Sequence, residues 1–226
     1  MIPLRDDNPS SSRPLINYLI IAACVLVFLY MLSLGSGRQG EQFVFTYGAI
    51  PAEVTGRGGA TVTQEYPTLI TSMFLHGSWF HLGGNMLFLW IFGDNVEDLM
   101  GHLGFFVFYL VAGIAAVLTH ILLNPNSSAP LIGASGAIAG VLGAYLVLFP
   151  RARILSLVPF GFFSRFVYVP AIFFLPLWFV LQLVSGLGSI GAGEAAGVAW
   201  WAHVGGFVAG VVLVRLFARR RATSRW

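Results

Sequence analysis

The chain has 226 residues, 57% hydrophobic and 9% charged, with a mean hydropathy of +0.82; a soluble domain carries about 25% charged residues, so one polytopic membrane domain is expected instead. A formal net charge of +3 is too small to argue for a nucleic-acid partner, and none is expected. The single cysteine, Cys24, excludes an internal disulfide and any cysteine-based metal cluster.

A short N-terminal tail, 1–14, precedes the first apolar run, 15–34, which is too long for a signal-peptide core and follows acidic Asp6 and Asp7. Cys24 lies within it and reads as packing. The next connection, about 35–79, mixes Phe43, Phe45, Tyr47, Tyr66 and Trp79 with glycine and a few charges, the composition of a loop lying partly in the membrane interface. Further apolar runs cover 80–92, 103–123, 135–149, 166–185 and 198–217. With the first they make six candidate spans, although the second and fourth fall short of the roughly 20 residues of a full crossing. The connection after the second carries Asp94, Glu97 and Asp98, and the connection before the sixth is the glycine-rich "SGLGSIGAGEAAG". A basic tail, 218–226, closes a catalytic domain expected over 15–217.

Orientation follows from arginine, since lysine is absent. With the N-terminus cytoplasmic, Arg5, Arg13, Arg151, Arg153, Arg165, Arg215, Arg219, Arg220, Arg221 and Arg225 lie inside, and only Arg38 and Arg57 outside. That asymmetry predicts six spans with both ends cytoplasmic.

The polar residues within these runs are the informative ones. Sixteen residues separate Ser135 from Arg151, His203 from Arg219 and His81 from Glu97, about 24 Å of helix in each case. If each charge marks the cytoplasmic edge of a roughly 30 Å hydrocarbon layer, Ser135, His203 and His81 share one depth below the outer surface. The fourth run repeats small residues at Ser135, Ala139 and Gly143, flanked by Gly136 and Gly140, and the sixth repeats them at Ala202, Gly206 and Gly210. Such stripes let membrane helices approach closely, and packing them together would bring His203 to Ser135.

A serine that cleaves an acyl bond needs a base and donors for the developing oxyanion. His203 is the candidate base. His81 and Asn85, spaced i, i+4, share a face and offer donors, as does the free backbone N–H of Ser135 at its helix start. No carboxylate is expected near His203, because Glu194 sits in the glycine-rich connection; a Ser–His dyad therefore fits better than a triad. The bland alternatives are a serine bonded to its own helix, an asparagine joining two helices and a histidine in a proton relay. His76 alone reads as a loop residue, and His102 and His120 as interfacial residues without a role.

Together, "GASGAIAG", "HGSWFHLGGN" and "AHVGGFVAG", with "YGAIPAE" and "NVEDLMGHLGFFVFYLVAG", resemble the rhomboid intramembrane serine proteases over about 45–212. The resemblance implies an all-α bundle of six transmembrane helices, in which the serine starts a short helix. It implies Ser135 as nucleophile, His203 as base, and His81, Asn85 and the Ser135 N–H as oxyanion donors. His76 would have a supporting role, and Gly133 and Gly136 flank the serine. Substrates would be transmembrane proteins cleaved in or near their spans, with lipid as the surrounding partner, no cofactor and no metal, and the setting a bacterial inner (plasma) membrane. In one departure, some bacterial members stack a tyrosine on the histidine where this chain has Ala139. Pro170 and Pro176 interrupt the fifth span, which is a proposed gate in that family. The competing readings are a catalytically silent rhomboid-like scaffold and a transporter using His81, Asn85 and His203. A metal hydrolase with His76, His81 and His203 lacks H-E-x-x-H spacing.

Overall fold

The computed structural model describes residues 1–57, 65–160, 163–189 and 199–218. Helix α1 (Leu15–Leu34) buries only Asn17, Ile20, Cys24 and Phe28, one narrow stripe of an otherwise apolar surface. A helix greasy on its outward side has lipid as its solvent. The following segment is helical in short pieces, α2 (Arg38–Tyr47), α3 (Pro51–Val54) and α4 (Thr68–Thr71), and α4 runs into a 3₁₀ turn at Ser72–Phe74. Then come α5 (Trp79–Met100), α6 (His102–Leu123) and α7 (Ser135–Leu148). After a β-hairpin the chain ends in α8 (Ala171–Ser189) and α9 (Trp200–Phe217).

Four of these helices, α1, α6, α8 and α9, are long and apolar enough to cross a membrane. The shorter α7 is buried along Gly136 to Tyr145, so it forms the axis of the bundle. Glycine permits that position. A methyl group at Gly136 would lie 2.7 Å from the Ala116 Cβ, and one at Gly140 would lie 2.5 Å from the Ala112 Cβ, both on α6. On the other side, Gly206 and Gly210 of α9 press against the backbones of Gly136 and Gly140 in one register, so these two helices run parallel. Close backbone approach on α7 occurs at Gly136, Gly140 and Gly143, and Ala139 is fully buried.

The chain is not wholly α-helical. Strand β1 (Ile2–Asp6) pairs antiparallel with β2 (Arg153–Phe160), which pairs with β3 (Phe163–Pro170), giving the order β1-β2-β3. The fifth candidate span, α8, accordingly begins at Ala171 rather than at 166, because residues 166–170 belong to β3. Pro170 is the last strand residue and not a kink in the helix; Pro176 does lie within α8. Proline lacks the N–H that would extend the ladder, and Ala171 closes the hairpin by donating to the Ala152 carbonyl at 2.8 Å. The N-terminal segment is also anchored through Asp7, whose carboxylate accepts from the Arg153 backbone at 2.7 Å and its Nε at 2.6 Å.

Asp94, Glu97 and Asp98 are helical residues of α5, not loop residues. Glu97 is buried and accepts from the Ile16 and Asn17 amides at 3.0 and 2.7 Å. It thereby caps the first turn of α1, whose N–H groups have no intrahelical partner and whose dipole favours an anion. His102, expected to be without a role, supports this carboxylate through Nδ1 at 2.5 Å. The glycine-rich connection with Glu194 lies mostly outside the described residues, as does the basic tail beyond Ala218.

Candidate active site

The segment leading into α7 is held from two directions. Leu131 exchanges backbone hydrogen bonds with Ala49 at 3.0 and 2.8 Å, and the Gly133 amide donates to the Ser72 carbonyl at 2.9 Å. Gly133 adopts φ +124, and a methyl group there would sit 2.6 Å from His81 Nε2. Glycine is required on both counts: the backbone angle disfavours other residues, and the imidazole occupies the side-chain space. Ser135 is the first residue of α7 and has no side-chain cap before it. The first-turn amides of this helix therefore lack intrahelical acceptors.

His203 projects from the first turn of α9, one helical turn before Gly206. The tight contact between Gly206 and Gly136 fixes how closely the two helices meet. At that separation His203 Nε2 lies 2.7 Å from Ser135 Oγ. The opposite nitrogen, Nδ1, lies 2.7 Å from Gln182 Oε1 on α8. Trp178 tilts against the imidazole at 6.0 Å between centroids, and Trp200 meets it edge-on at 6.1 Å. The imidazole is thus in contact with Gln182 and Trp178 of α8 and with Trp200 at the start of α9.

On α5, Ser78 accepts from the His81 amide at 3.1 Å and so starts the helix. His81 and Asn85 follow on its first two turns. The Asn85 Nδ2 donates to His76 Nε2 at 3.0 Å, and His76 Nδ1 donates to the Phe74 carbonyl at 3.3 Å. This chain leaves the His76 proton on Nδ1 and orients the Asn85 amide. The His76 and His81 rings also meet edge-to-face at 5.1 Å. A methyl group at Gly133 would be 3.7 Å from Asn85 Nδ2, so His81 and Asn85 converge on the segment that leads into Ser135. A cavity of about 280 Å³, open at one side, is lined by His81, Asn85, Ser135, Trp178, Gln182 and His203 among others.

Residues 63–220 match the Rhomboid domain family. The chain belongs to the rhomboid family. Its similar relatives include the Rhomboid protease GluP of Bacillus subtilis, 35% identical over 60% of this chain and 25% of the relative. Rhomboid protein 1, mitochondrial, of Saccharomyces cerevisiae is 41% identical over 40% of this chain and 28% of its own. The human presenilin-associated rhomboid-like protein, mitochondrial, is 30% identical over 63% and 36% respectively. The chain thus spans about a quarter to a third of the length of these relatives. Family and apolar helices together make this rhomboid an integral membrane protein.

Sequence reasoning on this rhomboid passed over Gln182. The signal was present, as a lone amide in the apolar run "LWFVLQLV". A polar side chain inside a membrane span is costly unless it has a partner or a task. His120, expected to be an interfacial residue without a role, instead has its Nδ1 buried with no hydrogen-bond partner among the described residues; Arg219 lies outside the described residues.

Proposed function

We propose that this rhomboid is an intramembrane serine endopeptidase that hydrolyses peptide bonds in or near the transmembrane segments of membrane-protein substrates. The observation that carries the proposal is the 2.7 Å contact between Ser135 Oγ and His203 Nε2 inside a cavity among apolar helices. A serine in an apolar helix whose only partner were its own backbone would read as packing; this hydroxyl has a base instead. Ser135 attacks the scissile carbonyl carbon while His203 Nε2 takes the hydroxyl proton. The resulting oxyanion is held by the Ser135 amide, Asn85 and His81. His203 returns its proton to the leaving nitrogen, then activates a water that hydrolyses the acyl-enzyme. A cavity within the bundle keeps that water and excludes lipid. The substrate segment must unwind to present its peptide bond, because helical hydrogen bonding otherwise protects it.

The proposed topology has six spanning helices, α1 and α5 to α9, with both termini in the cytoplasm of a bacterial cell and the sheet β1-β2-β3 on that side. The arginine asymmetry supports it. No nucleic acid, cofactor or metal takes part in this reading.

Reconstitution into liposomes with a transmembrane substrate, together with a fluorophosphonate probe, tests the proposal. Cleavage and probe attachment at Ser135 are expected, both lost in Ser135→Ala, with cleavage collapsing in His203→Ala. Cleavage that survives Ser135→Ala, or that a chelator abolishes in the wild type, refutes it. A wild type that binds the substrate but neither cleaves it nor takes the probe is a silent scaffold.

A further inference from the structure

Gln182 lies in a helix whose composition gives no reason for it. Its neighbours from Phe173 to Val184 are otherwise apolar apart from the indole N–H of Trp178. A primary amide at this depth is unfavourable unless its polar atoms find partners. Its oxygen has one, the Nδ1 of His203 at 2.7 Å. Neutral imidazole carries a single N–H, on one nitrogen or the other. A ring that is to receive the Ser135 proton on Nε2 must hold its own proton on Nδ1. An acceptor fixed at Nδ1 selects that tautomer.

We infer that Gln182 is the positioning residue for His203: its amide oxygen accepts the Nδ1 proton and keeps Nε2 turned as an acceptor towards Ser135. The inference rests on the Ser135–His203 reading above. In a serine triad a carboxylate does this work and its charge also stabilises the imidazolium. Here a neutral amide supplies the orientation without placing a charge among apolar helices. Trp178 is one turn before Gln182 and on the same face of α8, so one helix face provides both a wall for the ring and the acceptor. Trp200 meets the ring edge-on from α9 itself. The indoles set the plane of the ring, whereas the amide oxygen sets which nitrogen carries the proton. Ser135 is on α7 and His203 on α9, so a third helix, bearing neither reacting group, decides whether the base is correctly set. Moving α8 outward by about 1 Å would stretch the 2.7 Å bond beyond useful length and release the ring.

The test compares Gln182→Met, close in shape but without the acceptor, with Gln182→Glu, which restores one. Both are assayed in liposomes for cleavage of a transmembrane substrate and for the rate of fluorophosphonate attachment at Ser135. Gln182→Met is expected to lower kcat and the labelling rate about 10–100-fold, with KM within about threefold. That is less than the roughly 10⁴-fold loss that follows when a triad histidine is held in the wrong tautomer, since methionine leaves Nδ1 without a partner but does not reverse its proton. Gln182→Glu is expected to recover most of the loss. A Gln182→Met protein that labels at the wild-type rate overturns the inference, and so do equal losses in the Met and Glu variants, which would mark a packing role. If Gln182→Met does not fold, Gln182→Asn, too short to reach Nδ1, gives the same readout. Ser135→Ala is run in parallel. Cleavage by that variant, or none by the wild type, overturns the protease reading instead and is distinguishable from failure at Gln182.

Discussion

Gly206→Ala tests whether the glycine seam sets the distance on which catalysis depends. A methyl group there would overlap the Gly136 carbonyl oxygen and lie 3.0 Å from its carbon and 3.3 Å from the Ala116 Cβ. The obstacle is backbone, so no side chain can swing aside, and α9 must move away from α7 by about an ångström. Ser135 adjoins Gly136 and His203 is one turn from Gly206, so most of that movement is passed to the 2.7 Å Ser135–His203 contact. A displacement of this size costs about 100-fold in rate, and overpacking costs about 1–3 kcal/mol of stability. Gly83→Ala is the control: a methyl group there meets nothing within 4 Å, and alanine favours a helix by about 1 kcal/mol over glycine. The assay is Ser135 labelling and substrate cleavage in liposomes, with thermal unfolding followed alongside. Gly206→Ala labelling at the wild-type rate would refute the claim that helix contact sets the reacting distance.

Asn85→Ala should lower kcat about 10–1000-fold, the range for a lost oxyanion donor, and cost about 1–3 kcal/mol of stability because it leaves the buried His76 Nε2 without its donor; an unchanged kcat removes Asn85 from the site. Gly133→Ala forces a side chain into a backbone angle of +124° and against His81, so labelling at Ser135 should fall at least about 10-fold; full activity would show that His81 is free to move. Burial pushes the Asp6 carboxyl up to about 6, against the hydrogen bond it accepts from the Tyr145 hydroxyl. A carboxyl raised in the folded state stabilises the fold below its unfolded value of 3.8 and loses that contribution as pH rises through about 6. Asp6→Asn should therefore raise the unfolding midpoint at pH 8 by about 2–4 °C, the shift for about 1 kcal/mol after discounting for partial exposure. The gain should vanish near pH 4; a gain that does not vary with pH would contradict the assignment.

The sequence by itself determined the apolar helices and the residues worth watching. The expected first span, 15–34, coincides with Leu15–Leu34, and the start of α7 at Ser135 was read directly. Both were legible because a membrane helix satisfies its own backbone, so its hydropathy is a local property. Ser135, His203, His81 and Asn85 stood out because polar groups are expensive in such segments. Their mutual distances belong to the tertiary structure. The register of the seam was hidden because glycine and alanine fill neighbouring positions on α7, and several faces would have packed equally well by composition. The hairpin of β2 and β3 falls where the sequence predicts loop and helix, because its apolar and aromatic residues run on without a break into the span that follows, and its third strand, Ile2–Asp6, lies at the other end of the chain. The contacts of Gln182 with His203 and of Glu97 with the start of α1 likewise join separate helices, and that of His76 with Asn85 joins the segment before α5 to its second turn. A hydrogen bond between distant segments depends on where packing puts them, and only the folded bundle decides that.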